Sequence, residues 1–367
     1  MLNFDIIKPT LIINKAKALE NIHRMQAKAA RHGVVFRPHF KTHQSGLVGA
    51  WFRQAGVDKI TVSSVSMAQY FADHGWDDIL IAFPVNLLEI KQINRLASRI
   101  NLQLLLEDLT VASQLNERLE HLVEIYIKID VGAHRTGIPM ENASQILGLA
   151  AEIGNLDKLK LKGLLAHAGQ FYDNPGGIAA IQKEVSAINK QLVWLKQQIG
   201  DENLLLSWGD TPSCSMLETL PDFDEWRPGN FVYFDVMQYH IGACQLNDIA
   251  VAVACPVVAM HSERNEMTIY GGAVHFSKEF IAADQNFRLY GYLVTFTENG
   301  WSEPLSGAWL SGLSQEHGIV KLPSDYAQQF KPGDVVGILP IHSCLAVDAI
   351  GIQHTTVGEL VPKMSFA

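Results

Sequence analysis

Eight short apolar runs, separated by stretches of helical periodicity, restrict the fold of this chain more than any other feature. They lie near Val34–Phe36, Ile60–Ser64, Ile79–Phe83, Leu102–Leu106, Val123–Ile129, Leu161–Ala166, Leu204–Ser207 and Phe231–Phe234. The pattern between them predicts helices near 15–32, 45–54, 66–74, 87–99, 109–119, 140–153 and 177–199. In the first of these, Leu19, Ile22, Met25 and Ala29 recur at helical spacing, and Gly33 suits the left-handed residue past a helix end. Strands that are apolar on both faces, with helices between them, build a parallel sheet. Eight of them close into a (β/α)8 barrel. A doubly wound open sheet is the competing arrangement. It usually carries a glycine-rich nucleotide loop after its first strand, and none stands here.

After about Gly242 the pattern changes. Runs at 249–258, 266–270, 290–297, 308–313, 318–322, 335–339 and 358–361 read as strands, punctuated by Gly, Pro, Asn and Ser at short intervals. That punctuation, including the turn Lys331-Pro332-Gly333-Asp334, predicts an antiparallel β domain. We therefore expect a barrel over 15–244 and a β domain over 245–367, with residues 1–14 packing on the latter. A chain of 367 residues can supply both cores.

The formal net charge of −9, with no basic run to offset it, argues against nucleic acid and anionic membranes as partners. A small anionic ligand would need a local cationic site. Cys214, Cys244, Cys255 and Cys344 show no metal-cluster or disulfide spacing, and no leader is recognisable, so a reducing cytoplasm is expected. No apolar run is long enough to span a bilayer.

The chemistry concentrates where strands end. Arg37-Pro38-His39-Phe40-Lys41-Thr42-His43 places Lys41 just past the first strand, the usual position for a working residue in an α/β protein. A desolvated lysine with cationic neighbours has a lowered pKa and attacks carbonyls, forming Schiff bases. A lysine and two histidines satisfied in a turn is the other reading. After strand five, Asp130-Val131-Gly132-Ala133-His134-Arg135-Thr136-Gly137 lifts Arg135 to the barrel mouth. There its guanidinium could hold a carboxylate or phenolate, or pair with Asp130. Strand six ends in His167, with Tyr172 nearby in the chain; an imidazole there could stack on a flat ring or simply be buried.

Strand seven ends in Ser207-Trp208-Gly209-Asp210-Thr211, and Arg227-Pro228-Gly229-Asn230 is expected to precede strand eight. Small hydroxyl residues and glycines in these two loops are where barrels commonly hold a phosphate, although ordinary turns use the same residues. In the β domain, His342 and Cys344 stand two apart on a segment expected to be extended, which would turn both to one side. Imidazole plus thiolate suits Zn²⁺, and two ligands leave positions open for water or substrate. A core cysteine beside a turn histidine would look the same.

Taken together, these segments resemble the D-serine dehydratase / D-threonine aldolase family of pyridoxal phosphate enzymes, which share the alanine racemase-type barrel. The likeness runs from Arg37 to Cys344. It implies that Lys41 carries pyridoxal 5'-phosphate as a Schiff base and that Arg135 lies near the cofactor phenolate or the substrate carboxylate. It sets His167 beside the cofactor ring, with Tyr172 close to the pocket. Ser207, Gly209, Thr211, Gly229 and Asn230 match the phosphate-binding segments, and Arg227 matches the arginine at the pyridine nitrogen. His342 and Cys344 match a pair binding a divalent metal, zinc or alternatively manganese. Two places depart from the pattern: Asp210 stands where a second glycine is common, and Tyr270-Gly271-Gly272 replaces an Asp-Ala-Gly start.

The resemblance also implies a homodimer and a small D-amino acid substrate. Cysteine at 344, where the aldolase branch typically has aspartate, favours dehydration of a D-3-hydroxy amino acid of the D-serine or 3-hydroxy-D-aspartate type. Retro-aldol cleavage, racemisation and non-catalytic cofactor carriage rank behind it.

Overall fold

The apolar runs of the first part of the chain pair in sequence order. The computed structural model describes residues 2, 4–173, 176–282 and 287–365. Its strands Ile60–Val62, Asp78–Pro84, Asn101–Leu106, Val123–Asp130, Leu159–Ala166, Leu205–Trp208 and Glu225–Trp226 each lie parallel to the next. Glu225–Trp226 pairs in turn with Val35–Phe36, and a parallel bridge from His39 to Thr61 joins the two ends of the sheet. Counting from Val35–Phe36, these are barrel strands one to eight. Helices Val65–Asp73, Ile90–Ala97, Leu109–Arg118, Ala143–Asn155 and Gly177–Ile199 supply crossovers. Two of them start where a side chain satisfies an orphan amide: Ser64 accepts from Met67 N, and Asp108 from Val111 N.

Strand eight is not where the apolar run put it. Residues 230–232 form a 3-10 turn, and the strand is the two-residue segment before Arg227. Phe231, Val232 and Tyr233 are apolar because they are fully buried, not because they belong to a sheet. The Arg227–Asn230 loop therefore follows strand eight, on the same end of the barrel as every other strand-to-helix loop.

Nor are all the strands apolar on both faces. In strand five, Val123, Ile125, Ile127 and Ile129 alternate with Glu124, Tyr126, Lys128 and Asp130. Tyr126 packs on Leu80, Leu105 and Leu165, so the second set faces the barrel interior. That interior holds a buried ion-pair chain in which Arg37 reaches Glu225 at 2.5 Å and Asp78 at 2.6 Å. Each charge has an opposite partner, which is the condition for keeping it out of water.

The remaining strands form a separate, mostly antiparallel sheet. Its order is Glu266–Tyr270, His317–Lys321, Trp309–Leu313, Gly291–Val294, Val335–Pro340, Val251–His261, Thr10–Ile13 and Gln353–Thr355. Glu266–Tyr270 pairs again with Val251–His261, so six of these strands form a ring. Thr10–Ile13 lies antiparallel to Val251–Ala254 and parallel to Gln353–Thr355. The strand expected at 358–361 is replaced by Gln353–Thr355, and the expected span contributes a His354–Leu360 bridge flanked by the bonds Thr355 N to Glu359 O and Val361 N to Gln353 O.

The chain resolves into two compact units. One contains the described residues up to His23, Thr42–Trp51 and Asn230–Lys363; the other contains Arg24–Lys41, Phe52–Gly229 and the described residues after Lys363. These limits differ from 15–244 and 245–367. Segment 230–244 groups with the second sheet because Asn230 and Asp235 bond to Ser343, and 42–51 does so because Thr42 and Gln44 bond to Cys344 and Asp348. Among the described residues, no helix is long and apolar enough to cross a membrane.

Candidate active site

Within the barrel unit, Lys41 lies in the 3-10 turn Phe40–Thr42 that follows strand one. Phe40 is fully buried against Phe52, Phe71 and Trp76, with ring centroids 4.9, 5.0 and 5.1 Å away. His39 N donates to Pro228 O at 2.9 Å, and Lys41 N donates to His39 Nδ1 at 3.3 Å. This anchoring leaves the Lys41 side chain exposed, not desolvated as its apolar surroundings in sequence suggested. The turn sends Phe40 inward, so its neighbour goes outward. His43 is not the cationic neighbour expected either: burial holds its pKa down at about 3, so the ring is neutral, with Nδ1 accepting from Ser45 N at 3.1 Å.

The loop after strand five is built on Asp130. Its Oδ1 accepts from Gly132 N at 3.0 Å and His134 N at 3.1 Å, and its Oδ2 lies 3.2 Å from His134 Nδ1. Gly137 closes the loop at φ +110°, where a Cβ would come within 2.7 Å of Asp130 N, so only glycine fits. Asp130 is thus engaged by the backbone and His134. The alternative Arg135–Asp130 pair is not formed, and Arg135 is exposed. Lys128, which the sequence reading missed, is buried one turn of the pleat below. Burial, then the nearby Arg227 charge, lowers its pKa to about 8, and its Nζ donates to Ile129 O at 2.6 Å. The signal for it was the alternation along strand five.

His167 ends strand six, and its Nδ1 donates to the Gly209 carbonyl, which can only accept. The other ring nitrogen, Nε2, is therefore the one without a proton when the ring is neutral. Burial, followed by the charges of Lys41, Arg135, Arg227 and Lys128, pushes the His167 pKa well below the usual range. Four cations thus act on one neutral imidazole, which describes a site for an anion. Tyr172 lies with its ring centroid 6.2 Å from that of His167, and its hydroxyl accepts from Thr211 N at 3.2 Å.

In the loops after strands seven and eight, the expected residues divide. Thr211 is fully buried, and its hydroxyl has no hydrogen-bond partner. A Cβ on Gly209 would lie 3.0 Å from Arg227 Cβ and 3.2 Å from its guanidinium carbon, so the glycine preserves a close-packed cradle beside a cation. Ser207 does something else. Its hydroxyl donates to Glu225 Oε1 and accepts from Arg227 Nε, both at 2.6 Å, so it holds the arginine and is not free for a phosphate. Arg227 also donates to Ala166 O at 2.6 Å, and burial lowers its pKa to about 10, which leaves it charged at neutral pH. Gly229 sits half-buried in the loop after strand eight. An orphaned hydroxyl, a glycine cradle and converging cations fit a phosphate ester such as pyridoxal phosphate.

His342 and Cys344 lie in the other unit. The segment is not extended: His342 caps the helix Ser343–Ala349 from an extended conformation, and Cys344 is already helical. The two side chains nevertheless meet in a hydrogen bond, and His342 Nδ1 lies 2.5 Å from Glu279 Oε2. Burial opposes charge on this imidazole, but the bonds to Cys344 and Glu279 prevail and raise its pKa to about 11. Thr42 Oγ1 lies 3.3 Å from Cys344 Sγ and Asn230 Nδ2 lies 3.6 Å from it. Asn230, expected on a phosphate, thus gives its amide to the thiol cluster. No group of three or more His, Cys, Asp or Glu is arranged for a metal among the described residues. A borderline-soft N,S pair in a negative setting nonetheless fits a divalent cation that keeps other positions open.

Two family models match the chain. Residues 13–236 match the family model described as "Alanine racemase, N-terminal domain", and residues 250–355 match "Putative serine dehydratase domain". The chain is 29% identical over 347 residues to D-threo-3-hydroxyaspartate dehydratase of Delftia sp., covering 92% of this chain and 90% of that protein. It is 25% identical over 377 residues to D-serine dehydratase of Dictyostelium discoideum, covering 94% and 92%. A solved structure of a D-threo-3-hydroxyaspartate dehydratase mutant in the metal-free form superposes with a TM-score of 0.89 at 26% identity, covering 100% of this chain and 99% of that one.

Proposed function

The chain belongs to the alanine racemase N-terminal domain family, and from that premise we propose that it is a pyridoxal phosphate- and metal-dependent lyase that dehydrates a D-3-hydroxy amino acid of the D-serine or 3-hydroxy-D-aspartate type. The observation that carries the reading is the serine dehydratase match over residues 250–355, which contains both His342 and Cys344, joined to the racemase-type barrel that contains Lys41. Racemisation has no use for a His–Cys pair, and a cofactor carrier has no use for a second domain.

When bound, pyridoxal phosphate supplies an electron sink that acidifies the α-hydrogen of an attached amino acid. Lys41 would hold the cofactor through Nζ, and the same amine would serve as the base for the α-proton. Its exposure leaves it room to move between these tasks. Thr211, Gly209 and the loop at Gly229 would hold the phosphate, while Tyr172 fixes the Thr211 amide. His167, kept neutral and oriented by Gly209, would pack against the ring without adding charge. Arg135 would bind a carboxylate or the phenolate, and Arg227, held by Ser207, would offer a fixed cation to the ring nitrogen. His342 and Cys344 would hold a divalent ion, zinc or manganese, whose Lewis acidity would make a β-hydroxyl a better leaving group.

We also propose a cytoplasmic homodimer. Four free cysteines fit a reducing compartment. Phe83, Leu88 and Leu109, 57%, 90% and 48% exposed on the strand-end face of the barrel unit, fit a face that a second copy covers.

The test is to incubate the protein with D-serine, D-threonine and 3-hydroxy-D-aspartate, with and without Zn²⁺ or Mn²⁺, and identify the products. A 2-oxo acid and ammonia are expected from D-serine or 3-hydroxy-D-aspartate only when metal is present. Glycine with an aldehyde would replace dehydration by aldol cleavage, and L-amino acid alone would indicate a racemase. Lys41→Ala should lose the visible absorbance of lysine-bound cofactor; an unchanged spectrum would refute the lysine assignment.

A further inference from the structure

Resting on that metal reading, we propose that Asp235 is a positioning residue that sets the His342–Cys344 pair for a divalent cation. Asp235 is 1% exposed, stands 107 residues earlier in the chain than His342, and contains no atom that would touch substrate in the scheme above. Its Oδ2 accepts from Asn230 Nδ2 at 2.7 Å, from Ser343 N at 2.9 Å and from Ser343 Oγ at 3.2 Å. Its Oδ1 accepts from Gln238 N at 2.9 Å and so caps the helix Val236–Ile241.

Ser343 is the residue between the two ligands. Pinning its N–H fixes the backbone at the point where His342, still extended, gives way to helical Cys344. That turn is what brings the imidazole and thiol together, so the carboxylate controls their convergence. It also controls the second contact to sulfur. Asn230 Nδ2 has two hydrogens; one is taken by Asp235, and the other lies between Ser343 Oγ at 3.0 Å and Cys344 Sγ at 3.6 Å. Every partner of Asp235 is a donor, and a carboxylate accepts on both oxygens. An amide in its place offers one acceptor only, so its NH2 must face either Gln238 N or the Ser343 and Asn230 donors. Groups that orient metal ligands in this way typically change metal affinity by roughly 10- to 100-fold when altered.

The experiment uses cofactor-loaded protein and Zn²⁺ as the probe, with affinity read by competition against a chromogenic chelator. Asp235→Asn should bind Zn²⁺ roughly tenfold or more weakly, while its cofactor content stays at the wild-type level. In the Co²⁺-loaded protein, the thiolate-to-cobalt charge-transfer band should shift or weaken, which general destabilisation would not cause. Should Asp235→Asn fail to fold, Ser343→Ala removes the hydroxyl's contacts to Asp235 and Asn230 while keeping the Ser343 N–H on Asp235, and should weaken Zn²⁺ by about threefold. Wild-type Zn²⁺ affinity with an unmoved cobalt band in the variant overturns the proposal alone. A wild-type protein that takes up neither Zn²⁺ nor Co²⁺ overturns the metal reading together with it.

Discussion

Replacing Asp210 by asparagine should stabilise the protein above neutral pH and slightly destabilise it in acid. Asp210 is 2% exposed and caps the helix Thr211–Met216, with Oδ1 accepting from Ser213 N and Oδ2 from Ser213 Oγ, both at 2.6 Å. Burial raises its pKa to about 7, against the bonds from Ser213 and the charge of Arg227, which favour ionisation. The folded protein therefore keeps a proton that the unfolded carboxyl has released between about pH 4 and pH 7. Stability falls with rising pH across that window and levels off above it. Three pH units at 1.36 kcal/mol each place the loss at roughly 4 kcal/mol by about pH 8.

Asparagine carries no such penalty. Its oxygen can accept from Ser213 N and its NH2 can donate to Ser213 Oγ, which also accepts from Trp208 Nε1 at 2.8 Å. The Ser213 hydrogen then loses its acceptor, at about 1 kcal/mol. The net gain is about 3 kcal/mol near pH 8, crossing to a small loss between about pH 4 and pH 5. With an unfolding entropy of ~0.8 kcal/mol/K for 367 residues, this amounts to about 4 °C in melting temperature. The assay is a thermal melt of both cofactor-free proteins across that range, since bound cofactor would add its own stabilisation. A difference in melting temperature that does not grow with pH would refute the reasoning, because it would show that Asp210 does not titrate upward on folding.

Two further outcomes follow from the barrel unit. Lys28 Nζ binds the carbonyls of Cys214 at 2.7 Å, Leu217 at 2.5 Å and Ser215 at 3.4 Å, closing the far end of the same helix. Lys28→Met should therefore weaken pyridoxal phosphate by about tenfold but leave pyridoxal, which lacks the phosphate, unaffected in a fluorescence titration. Gly163 pairs with Leu205 so closely that a Cβ would lie 2.1 Å from the Leu205 carbonyl oxygen. Gly163→Ala should lose more than about 3 kcal/mol in denaturant unfolding or fail to accumulate as soluble protein.

The barrel was legible because six of its strands are three residues or longer and carry their own apolar signal, as Ile79–Phe83 and Leu102–Leu106 do. The other two, Val35–Phe36 and Glu225–Trp226, are two residues each and have no periodicity to read. The apolar pattern consequently predicts an eighth strand at Phe231–Phe234, whose apolar character comes from packing. A short buried run states that it is buried and does not state by what. The same limit explains the site. Ser207 and Asn230 were grouped with the phosphate residues by position, but hydrogen-bond partners from distant segments, Glu225 for one and Asp235 for the other, decide what each side chain does. No spacing rule carries that information.

The charge distribution gives a common character to candidate site residues that come from five barrel loops. The chain as a whole carries −9, yet Lys41, Arg135, Arg227 and Lys128 all act on His167 with the same sign. At physiological salt, exposed charges beyond about 8 Å are largely screened, so a bound anion responds to these groups and not to the distant acidic surface. Inside the barrel the balance is local as well. Arg37 is matched by Asp78 and Glu225, which leaves Arg227 to share Glu225 only through the Ser207 hydroxyl. A second guanidinium with less than a full counter-charge, held by the fold beside a loop with an unpartnered buried hydroxyl at Thr211, leaves an electrostatic demand that a phosphate dianion would meet. A cationic mouth set in an acidic exterior is the charge arrangement that favours a small, compact anion such as a phosphate ester.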